Sequence, residues 1–403
     1  MFLYVSIFAL VIALYVIIRA ILPLRAHRAI KLILSLITLA AAGKFHLFYL
    51  IEGKNFYTPD LPPLMIWGGC WLFSAVCGYA LLLAAADAIR LPLYLLLWLA
   101  RHRPADTWRR VNNSFNLSLL LLILATAAWG TWCGTRPPQV RSITIPVASL
   151  QPQEAPIRIV QLTDLHADST KDAAFYRDVV QKTNALNPDV VVITGDFADG
   201  PPERFGSALA PLRELDAPMG VYAVAGNHDC FHKTREWLAL LRRYGVNFID
   251  GEVMDVSCEQ EGIPRKELQL IGLHDPVAAR FSHGDIPGIE ELSQKLDSGT
   301  PSVLLAHRPG EAPQAAACGI DLQLSGHTHG GQFPGLQQLV AAANNGYVYG
   351  LYRVGNMQLY VSPGTSLWTP ACLRLGIPPE ITLLTLTPAG GTRLSPATPA
   401  TNE

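Results

Sequence analysis

Five short polar blocks, each placed directly after an apolar segment, constrain the fold of this chain most. They are TDLH at Thr163–His166, GDFADG at Gly195–Gly200, GNHD at Gly226–Asp229, AHRPG at Ala306–Gly310 and GHTHGG at Gly326–Gly331. Short apolar runs that end in Gly-rich or polar loops are typical of buried strands in a layered α/β fold. Because an open α/β sheet carries its chemistry at the carboxyl ends of its strands, we expect the blocks to converge on one site.

The segments between the blocks predict the order of elements. Strands are predicted at Val140–Val147, Ile157–Leu162, Val190–Thr194, Val221–Ala225, Leu268–Leu273, Ser302–Leu305 and Leu322–Leu324, the first of them at a sheet edge. Helices are predicted at Asp172–Leu186, Glu203–Leu215 and Lys233–Tyr244. After Asn345, strands at Tyr347–Arg353, Met357–Val361 and Ile381–Leu386 follow without a long helix between them. This change of pattern indicates an antiparallel section of sheet.

The first third of the chain is far more apolar than the rest. Four stretches there are close to the roughly 20 apolar residues that cross a bilayer. They are Phe2–Leu22, Ile30–Ile51, Leu64–Ala86 and Phe115–Cys133. The run Leu91–Leu99 is shorter, and we expect it to extend the third helix or to lie at the membrane interface. No basic segment precedes the first stretch, so we interpret it as a retained anchor and not as a signal peptide.

Basic residues in the short loops predict the orientation of these helices. The first and third loops are rich in Lys and Arg, whereas the second, around Glu52–Asp60, is poor in them. The basic loops are expected in the cytoplasm of a bacterial cell. This arrangement predicts a multi-pass protein of the inner membrane whose C-terminal part is extracytoplasmic. A single miscounted span inverts the prediction.

Charge and cysteine content narrow the classes of partner. The formal net charge of −1 gives no indication of a nucleic-acid partner. The seven cysteines include no CxxC pair, so a cysteine-based zinc site is not expected. We divide the chain into a transmembrane helical domain at 1–134, a linker with a first strand at 135–156, a catalytic domain at 157–387 and a disordered tail at 388–403. The oligomeric state remains open.

The side chains in the blocks are those that a site for two metal ions needs. Hydrolysis of a phosphate ester requires an activated water and positive charge beside the phosphoryl oxygens, and two divalent ions provide both. Carboxylate, amide and imidazole groups are suitable ligands. The candidates are Asp164, His166, Asp196, Asn227, His307, His327 and His329. In TDLH and GHTHGG two candidates are spaced i, i+2, which in an extended segment places both side chains on one side.

In this order the blocks resemble the calcineurin-like metallophosphoesterases. Within that superfamily the chain is similar to the membrane-anchored bacterial group with the motif GHTHGGQ, here Gly326–Gln332. The resemblance covers Ile157 to Leu386 and implies a sandwich of two facing mixed β-sheets flanked by helices. It implies that one ion is held by Asp164, His166, Asp196 and His329 and the second by Asp196, Asn227, His307 and His327. Asp196 would then bridge two divalent ions, with Mn, Fe and Zn all open as their identity.

The resemblance also implies roles for the residues beside the ligands. His228 would contact the phosphoryl oxygens or protonate the leaving oxygen, and Asp229 would orient its ring. A hydroxide that bridges the ions would attack phosphorus in line. We interpret Asp199 as a loop carboxylate and not as a ligand. Arg308 is open between a contact to a substrate phosphate and a surface ion pair.

The sequence therefore predicts a membrane-anchored, metal-dependent phosphoesterase that hydrolyses phosphate mono- or diesters. A lipid-linked phosphate delivered by the helices, a soluble nucleotide and a cell-wall phosphodiester all remain open as substrates. The alternative function is a catalytically weak membrane sensor or scaffold that retains a metal-binding domain. A transporter is disfavoured because the predicted spans hold few charged residues.

Overall fold

The N-terminal part of the chain is helical. The structure is a computed structural model that describes residues 2–53, 59–99, 106–260, 263–277, 286–297, 299–369 and 372–389. The N-terminal helices are α1 (Phe2–Val16, continued by a π-helical turn at Ile17–Ile21), α2 (Arg28–Ala42), α3 (Lys44–Glu52), α4 (Pro63–Leu99) and α5 (Asp106–Gly134). Within the described residues, three helical segments are long and apolar enough to cross a membrane, namely Tyr4–Ile21, Pro63–Leu97 and Asn112–Gly134. A fourth span results if α2 and α3 are counted together.

One detail of the helical region differs from the prediction, and another confirms it. The predicted span Ile30–Ile51 is broken at Gly43, where α2 and α3 meet at a bend of 68°. The backbone N–H of Gly43 caps α2 by donating to the Leu39 carbonyl at 2.9 Å. A Cβ at this position would lie 2.9 Å from that same carbonyl oxygen, so the turn favours glycine. The third predicted span continues without a break through the apolar run Leu91–Leu99, with Pro92 inside the helix.

The C-terminal part contains twelve described strands and six described α-helices. The strands are β1 (Gln139–Val147), β2 (Ile157–Leu162), β3 (Val190–Thr194), β4 (Val221–Val224), β5 (Asn247–Phe248), β6 (Val253–Gln260), β7 (Ile263–Leu273), β8 (Ser302–Ala306), β9 (Leu322–Ser325), β10 (Gly350–Val354), β11 (Met357–Val361) and β12 (Glu380–Pro388). The helices are α6 (Ala173–Asn184), α7 (Pro202–Phe205), α8 (Thr234–Arg243), α9 (Ile289–Ser293), α10 (Ala312–Ala317) and α11 (Leu336–Ala343).

These strands form two mixed sheets of six strands each, as predicted. The first sheet has the order β1-β12-β2-β3-β4-β5 and the second the order β10-β11-β9-β8-β7-β6. Strands β2 to β5 are parallel, and so are β7, β8, β9 and β11. The parallel strands place the ends that carry the polar blocks at one edge of each sheet.

Several predicted elements are changed in detail. The predicted helix Glu203–Leu215 is a short α7 followed by a 3-10 helix at Gly206–Glu214 that contains Pro211. Strand β1 is an edge strand as predicted, and it pairs in parallel with β12. The predicted antiparallel section is present as β10 with β11 and as β12 with β2, although these pairs lie in different sheets. Residues 390–403 of the predicted disordered tail lie outside the described residues.

The inner faces of the two sheets pack together through aliphatic side chains. Ile159, Val192 and Val224 from the first sheet join Val303 and Leu324 from the second in one buried cluster. The outer face of the first sheet is covered by α6 and α8, and that of the second by α9 and α10. Burial on both faces explains why the central parallel strands are almost continuously apolar.

Candidate metal centre

The five polar blocks lie at the carboxyl ends of β2, β3, β4, β8 and β9. Five candidate ligands there adopt left-handed backbone conformations. Their φ angles are 54° at Asp164, 45° at His166, 57° at Asp196, 69° at His327 and 48° at His329. A positive φ is strained for residues other than glycine, and such strain concentrates at functional sites. The backbone therefore bends sharply at each strand end to turn these side chains into a common space.

The first group of donor atoms consists of Asp164, His166 and His329. The Nε2 atoms of the two histidines are 3.2 Å apart, and they lie 3.7 and 3.6 Å from Oδ1 of Asp164. The ring of His166 is oriented by Asp199, whose Oδ1 lies 3.0 Å from Nδ1. Two neutral imidazoles cannot both direct lone pairs at each other at this distance without repulsion, and a shared cation removes that conflict. A carboxylate behind the far ring nitrogen is the usual arrangement for a histidine that ligates metal.

The second group is built around Asp196, His307 and His327, whose ligand atoms lie within 4.8 Å of one another. The Nε2 atom of His307 is 3.2 Å from Oδ2 of Asp196 and 3.2 Å from Oδ1 of Asn227. The other ring nitrogen, Nδ1, lies 2.7 Å from the Thr194 carbonyl, which fixes the ring. Oδ2 of Asp196 is also 3.7 Å from Nε2 of His166, so this carboxylate stands between the two groups.

Burial of the candidate ligands makes a charge on any of them costly unless an opposite charge lies nearby. Asp164, His166, Asp196 and His307 are each at most 2% exposed. Burial lowers the pKa of His327 and His329 to about 3, which keeps these imidazoles neutral and able to bind metal at pH 7. Burial opposes the charge on His307 as well, but Asp196 outweighs it and raises the pKa of His307 to about 10. Buried carboxylates need compensating positive charge, and the oxygen and imidazole donors present fit divalent cations.

The structure corrects the predicted partner of His228. Nδ1 of His228 lies 2.6 Å from Oδ1 of Asp199, so Asp199 orients this ring as well as that of His166. The carboxylate of Asp229 instead accepts hydrogen bonds from three backbone N–H groups. The donors are Asp196 at 2.9 Å, Phe197 at 2.8 Å and Gly226 at 2.8 Å. Asp229 therefore holds the GDFADG and GNHD loops together, because it ties the backbone of one block to that of the other.

Three residues around the metal centre, Arg308, Asp168 and Trp368, make different kinds of contact. Nε of Arg308 donates to Asp275 at 2.7 Å, and its Nη1 lies 3.2 Å from Nε2 of His327, so Arg308 is at the centre and not on a remote surface. Asp168 forms an ion pair with Lys171 at 2.7 Å, and its Oδ1 accepts a hydrogen bond from the Thr170 N–H at 2.8 Å. The ring of Trp368 lies 5.3 Å from that of His228 between centroids, a contact that no motif indicated.

Arg374 is a further residue that sequence reasoning missed. It is fully buried, and its Nη2 donates to the carbonyls of Pro363 at 2.6 Å and Ser366 at 2.8 Å. Its Nε and Nη1 have no hydrogen-bond partner among the residues that the structure describes. Burial lowers the pKa of Arg374 to about 10, against the opposing effect of Asp164. Arg374 thus supports the 363–366 loop behind the first group and adds a fixed positive charge there.

The comparisons with known proteins agree with this geometry. Residues 157–331 match the sequence model of the calcineurin-like phosphoesterase family. The chain is 31% identical over 276 residues to a metallophosphoesterase of Campylobacter jejuni, a match that covers 68% of this chain and 69% of that protein. It is 34% identical over 278 residues to a Danio rerio protein described as a transmembrane protein with a metallophosphoesterase domain, covering 67% of this chain and 62% of the relative.

Among solved structures, a calcineurin-like phosphoesterase from Bacillus subtilis aligns with a TM-score of 0.34 and 17% identity, covering 54% of this chain and 83% of that one.

The two sheets and the strand-end site define a metallophosphoesterase domain. The chain belongs to the calcineurin-like phosphoesterase family, and its described residues include a helical region with three to four candidate membrane spans.

Proposed function

We propose that this protein is a membrane-anchored hydrolase of phosphate mono- or diesters that uses two divalent metal ions. The observation that carries the proposal is the convergence of oxygen and imidazole donors from both sheets on the single carboxylate of Asp196. A site for one ion does not need donors on both sides of a shared carboxylate. The buried carboxylates also favour a bound cation.

The residues divide into two sets of ligands. Asp164, His166, Asp196 and His329 would hold one ion, and Asp196, Asn227, His307 and His327 would hold the other. When bound, the ions supply Lewis acidity to the phosphoryl oxygens and make water nucleophilic near neutral pH. The protein's contribution is to fix the ligands through Asp199, Asp229 and backbone carbonyls, and to exclude bulk water from the buried side of the centre.

His228 protonates the leaving oxygen in this proposal. Its Nδ1 is held by Asp199, which leaves Nε2 as the ring nitrogen that can meet a substrate. Burial opposes the charge of His228, but the carboxylates of Asp196 and Asp199 outweigh it and raise the pKa. These two carboxylates favour the protonated ring, which is the form that a general acid requires. Its side chain is 21% exposed, unlike the buried ligands around it.

We also propose that the protein lies in the bacterial inner membrane with the metal centre outside the cytoplasm. The charges of the short loops support this orientation. C-terminal fusions to alkaline phosphatase and to a green fluorescent protein test it. Phosphatase activity without fluorescence is expected, and the reverse result would place the centre in the cytoplasm.

The activity is tested on the full-length protein in detergent, with its metal content measured and with Mn²⁺, Fe²⁺ or Zn²⁺ supplied. We expect about two ions per chain and turnover of an aryl phosphate monoester or diester. His228→Ala should keep the metal and lose turnover. Asp178→Asn, which changes a surface ion pair on α6, is the control and should alter neither property. Bound metal without turnover of any ester would favour the sensor or scaffold alternative.

A further inference from the structure

A large apolar cavity lies where the membrane helices meet the catalytic domain. Its volume is about 590 Å³. The helices α1, α4 and α5 form most of its wall, with Phe8, Phe73 and Ile123 among the lining side chains. The catalytic domain supplies the remaining wall through Phe333 and Leu375 and two neighbouring residues. The cavity is therefore shared by the two parts of the protein.

We propose that this cavity binds the hydrocarbon chain of a membrane lipid and that the phosphoester of that lipid is the substrate of the metal centre. The proposal rests on the proposed function and specifies its substrate class. The position of the cavity indicates a lipid as its occupant. Its walls are α1, α4 and α5, and each of these helices provides a segment apolar and long enough to span a bilayer. In such a setting the molecules that reach an apolar cavity between the helices are lipids.

The size and lining of the cavity fit one long chain. A group of the size of a water molecule occupies about 30 Å³ in the liquid, so the volume has room for roughly twenty groups of methylene size. Val11 and Leu81, which also line the cavity, are 60% and 70% exposed in the protein alone. Exposed apolar side chains next to a cavity indicate that it is open to the bilayer along its side.

The cavity ends beside the ligands of the first metal group. Gln332 lines it and follows the turn His329–Gly331 directly. The backbone N–H of Leu375 donates to the Gln332 carbonyl at 2.8 Å, and the N–H of Arg374 donates to Gly130 of α5 at 2.9 Å. One short segment thus presents Leu375 to the cavity and carries the buried charge of Arg374 behind the metal ligands. A hydrocarbon chain in the cavity would therefore contact the segment that follows His329 directly.

The rim of the metal centre faces the membrane helices as well. The ring of Trp368 lies 5.3 Å from that of His228, and the adjacent Leu367 is buried against Ile66 of α4. On the other side of this rim, Ser169 Oγ donates to the Pro59 carbonyl in the segment before α4 at 2.8 Å. His228, which protonates the leaving group, therefore lies close to the point where α4 begins. A lipid phosphoester at the membrane surface would reach the centre without leaving the bilayer.

The test compares substrates that differ only in their chain. Full-length protein in nanodiscs is given alkyl 4-nitrophenyl phosphodiesters and alkyl phosphate monoesters, each with an ethyl or a hexadecyl group. Ala84→Trp places an indole in the cavity from an exposed position that lines it. Ala85→Trp is the matched control, because Ala85 is the exposed neighbouring residue on α4 and does not line the cavity.

We expect the wild type to prefer the hexadecyl ester in kcat/KM. Ala84→Trp should reduce that preference about tenfold or more, since displacing a few methylene groups has this effect, and leave the ethyl ester unaffected. Ala85→Trp should retain the preference. Equal turnover of both esters by the wild type, or equal effects of the two tryptophans, would overturn the lipid proposal while the phosphoesterase stands. Turnover of neither ester with any metal would instead overturn the proposed function.

Discussion

The interior of the sandwich and the carboxyl ends of its strands use the same backbone for opposite purposes. Between the sheets, Val192 and Leu324 are fully buried among other aliphatic side chains. Two residues after the ends of β3 and β9, Asp196 and His327 adopt strained left-handed conformations within the cluster of ionisable side chains. Burial of apolar surface stabilises the interior, whereas buried charge and backbone strain destabilise the strand ends. The comparison teaches that the interior should be stable alone and that the strand ends should depend on bound cations.

Replacement of the shared carboxylate gives the largest expected effect. Asp196→Asn should lower kcat/KM by about a thousandfold or more, because both ions lose a charged ligand. The metal-free variant should be less stable than the metal-free wild type, since His307 loses the buried carboxylate with which it forms an ion pair. Phosphoester turnover and the thermal unfolding midpoint of chelator-treated protein check the two parts. A metal-free variant as stable as the metal-free wild type would show that this ion pair does not stabilise the fold.

Removal of metal tests the same contrast in the wild type. Chelation should destabilise the protein by about 4 kcal/mol for each ion removed, and so by roughly 8 kcal/mol for two, relative to protein with metal at a thousand times the dissociation constant of each site. The strand ends lose their compensating charge, whereas the interior is unaffected. Unfolding curves with and without chelator provide the measurement, and Asp196→Asn serves as the control that should respond much less. An equal response in both proteins would mean that chelation acts elsewhere in the chain.

A substitution in the interior should lower the stability of the protein and leave its activity and metal content unchanged. Leu270 is fully buried in β7, in the cluster between the two sheets, and β7 carries none of the candidate ligands. Leu270→Ala should lower the free energy of unfolding by about 3 kcal/mol through lost burial and a residual cavity. Its kcat and its metal content should match the wild type. Loss of metal from the folded variant would show that the interior and the strand ends are coupled.

The two carboxylates near His228 separate positioning from loop structure. Asp199→Asn weakens the orientation of His166 and His228 and should reduce kcat or metal affinity by about 10- to 100-fold. The pH profile of kcat should shift as well, because His228 loses one of the two negative charges that raise its pKa. Asp229→Asn should mainly destabilise the loops, with a pH profile like that of the wild type. If Asp229→Asn shifted the pH profile of kcat and Asp199→Asn did not, Asp229 would be the carboxylate that orients His228.

This pair of residues also shows what the sequence could not predict. The ligand candidates were recognisable because each follows an apolar strand, and parallel strands must end at one edge. The choice between Asp199 and Asp229 depends on how two loops fold against each other, which no spacing expresses. Arg374 lies in no motif, and its burial depends on how its segment folds back onto the 363–366 loop. The break at Gly43 was hidden because the sequence stays mostly apolar on both sides of it, although Lys44 follows the glycine directly.

Asp250 offers the smallest test, because it is a carboxylate at the same end of the first sheet but outside both groups of ligands. Burial raises its pKa from an ordinary value of 3.8 to about 7, although the Ala225 N–H donates to it at 3.0 Å. The folded state therefore retains a proton that the unfolded chain releases, and stability falls as the pH rises from about 4 to about 7.

Asp250→Asn keeps the acceptor for Ala225 and removes this titration. Metal-free Asp250→Asn should exceed the metal-free wild type by about 2 kcal/mol near pH 8, with the difference closing near pH 4. The side chain is 12% exposed, so solvent screening places the effect below the full shift. Unfolding across this pH range checks the prediction. A difference independent of pH would mean that Asp250 is ionised in the folded protein, so that the strand ends hold a buried charge even where no cation binds.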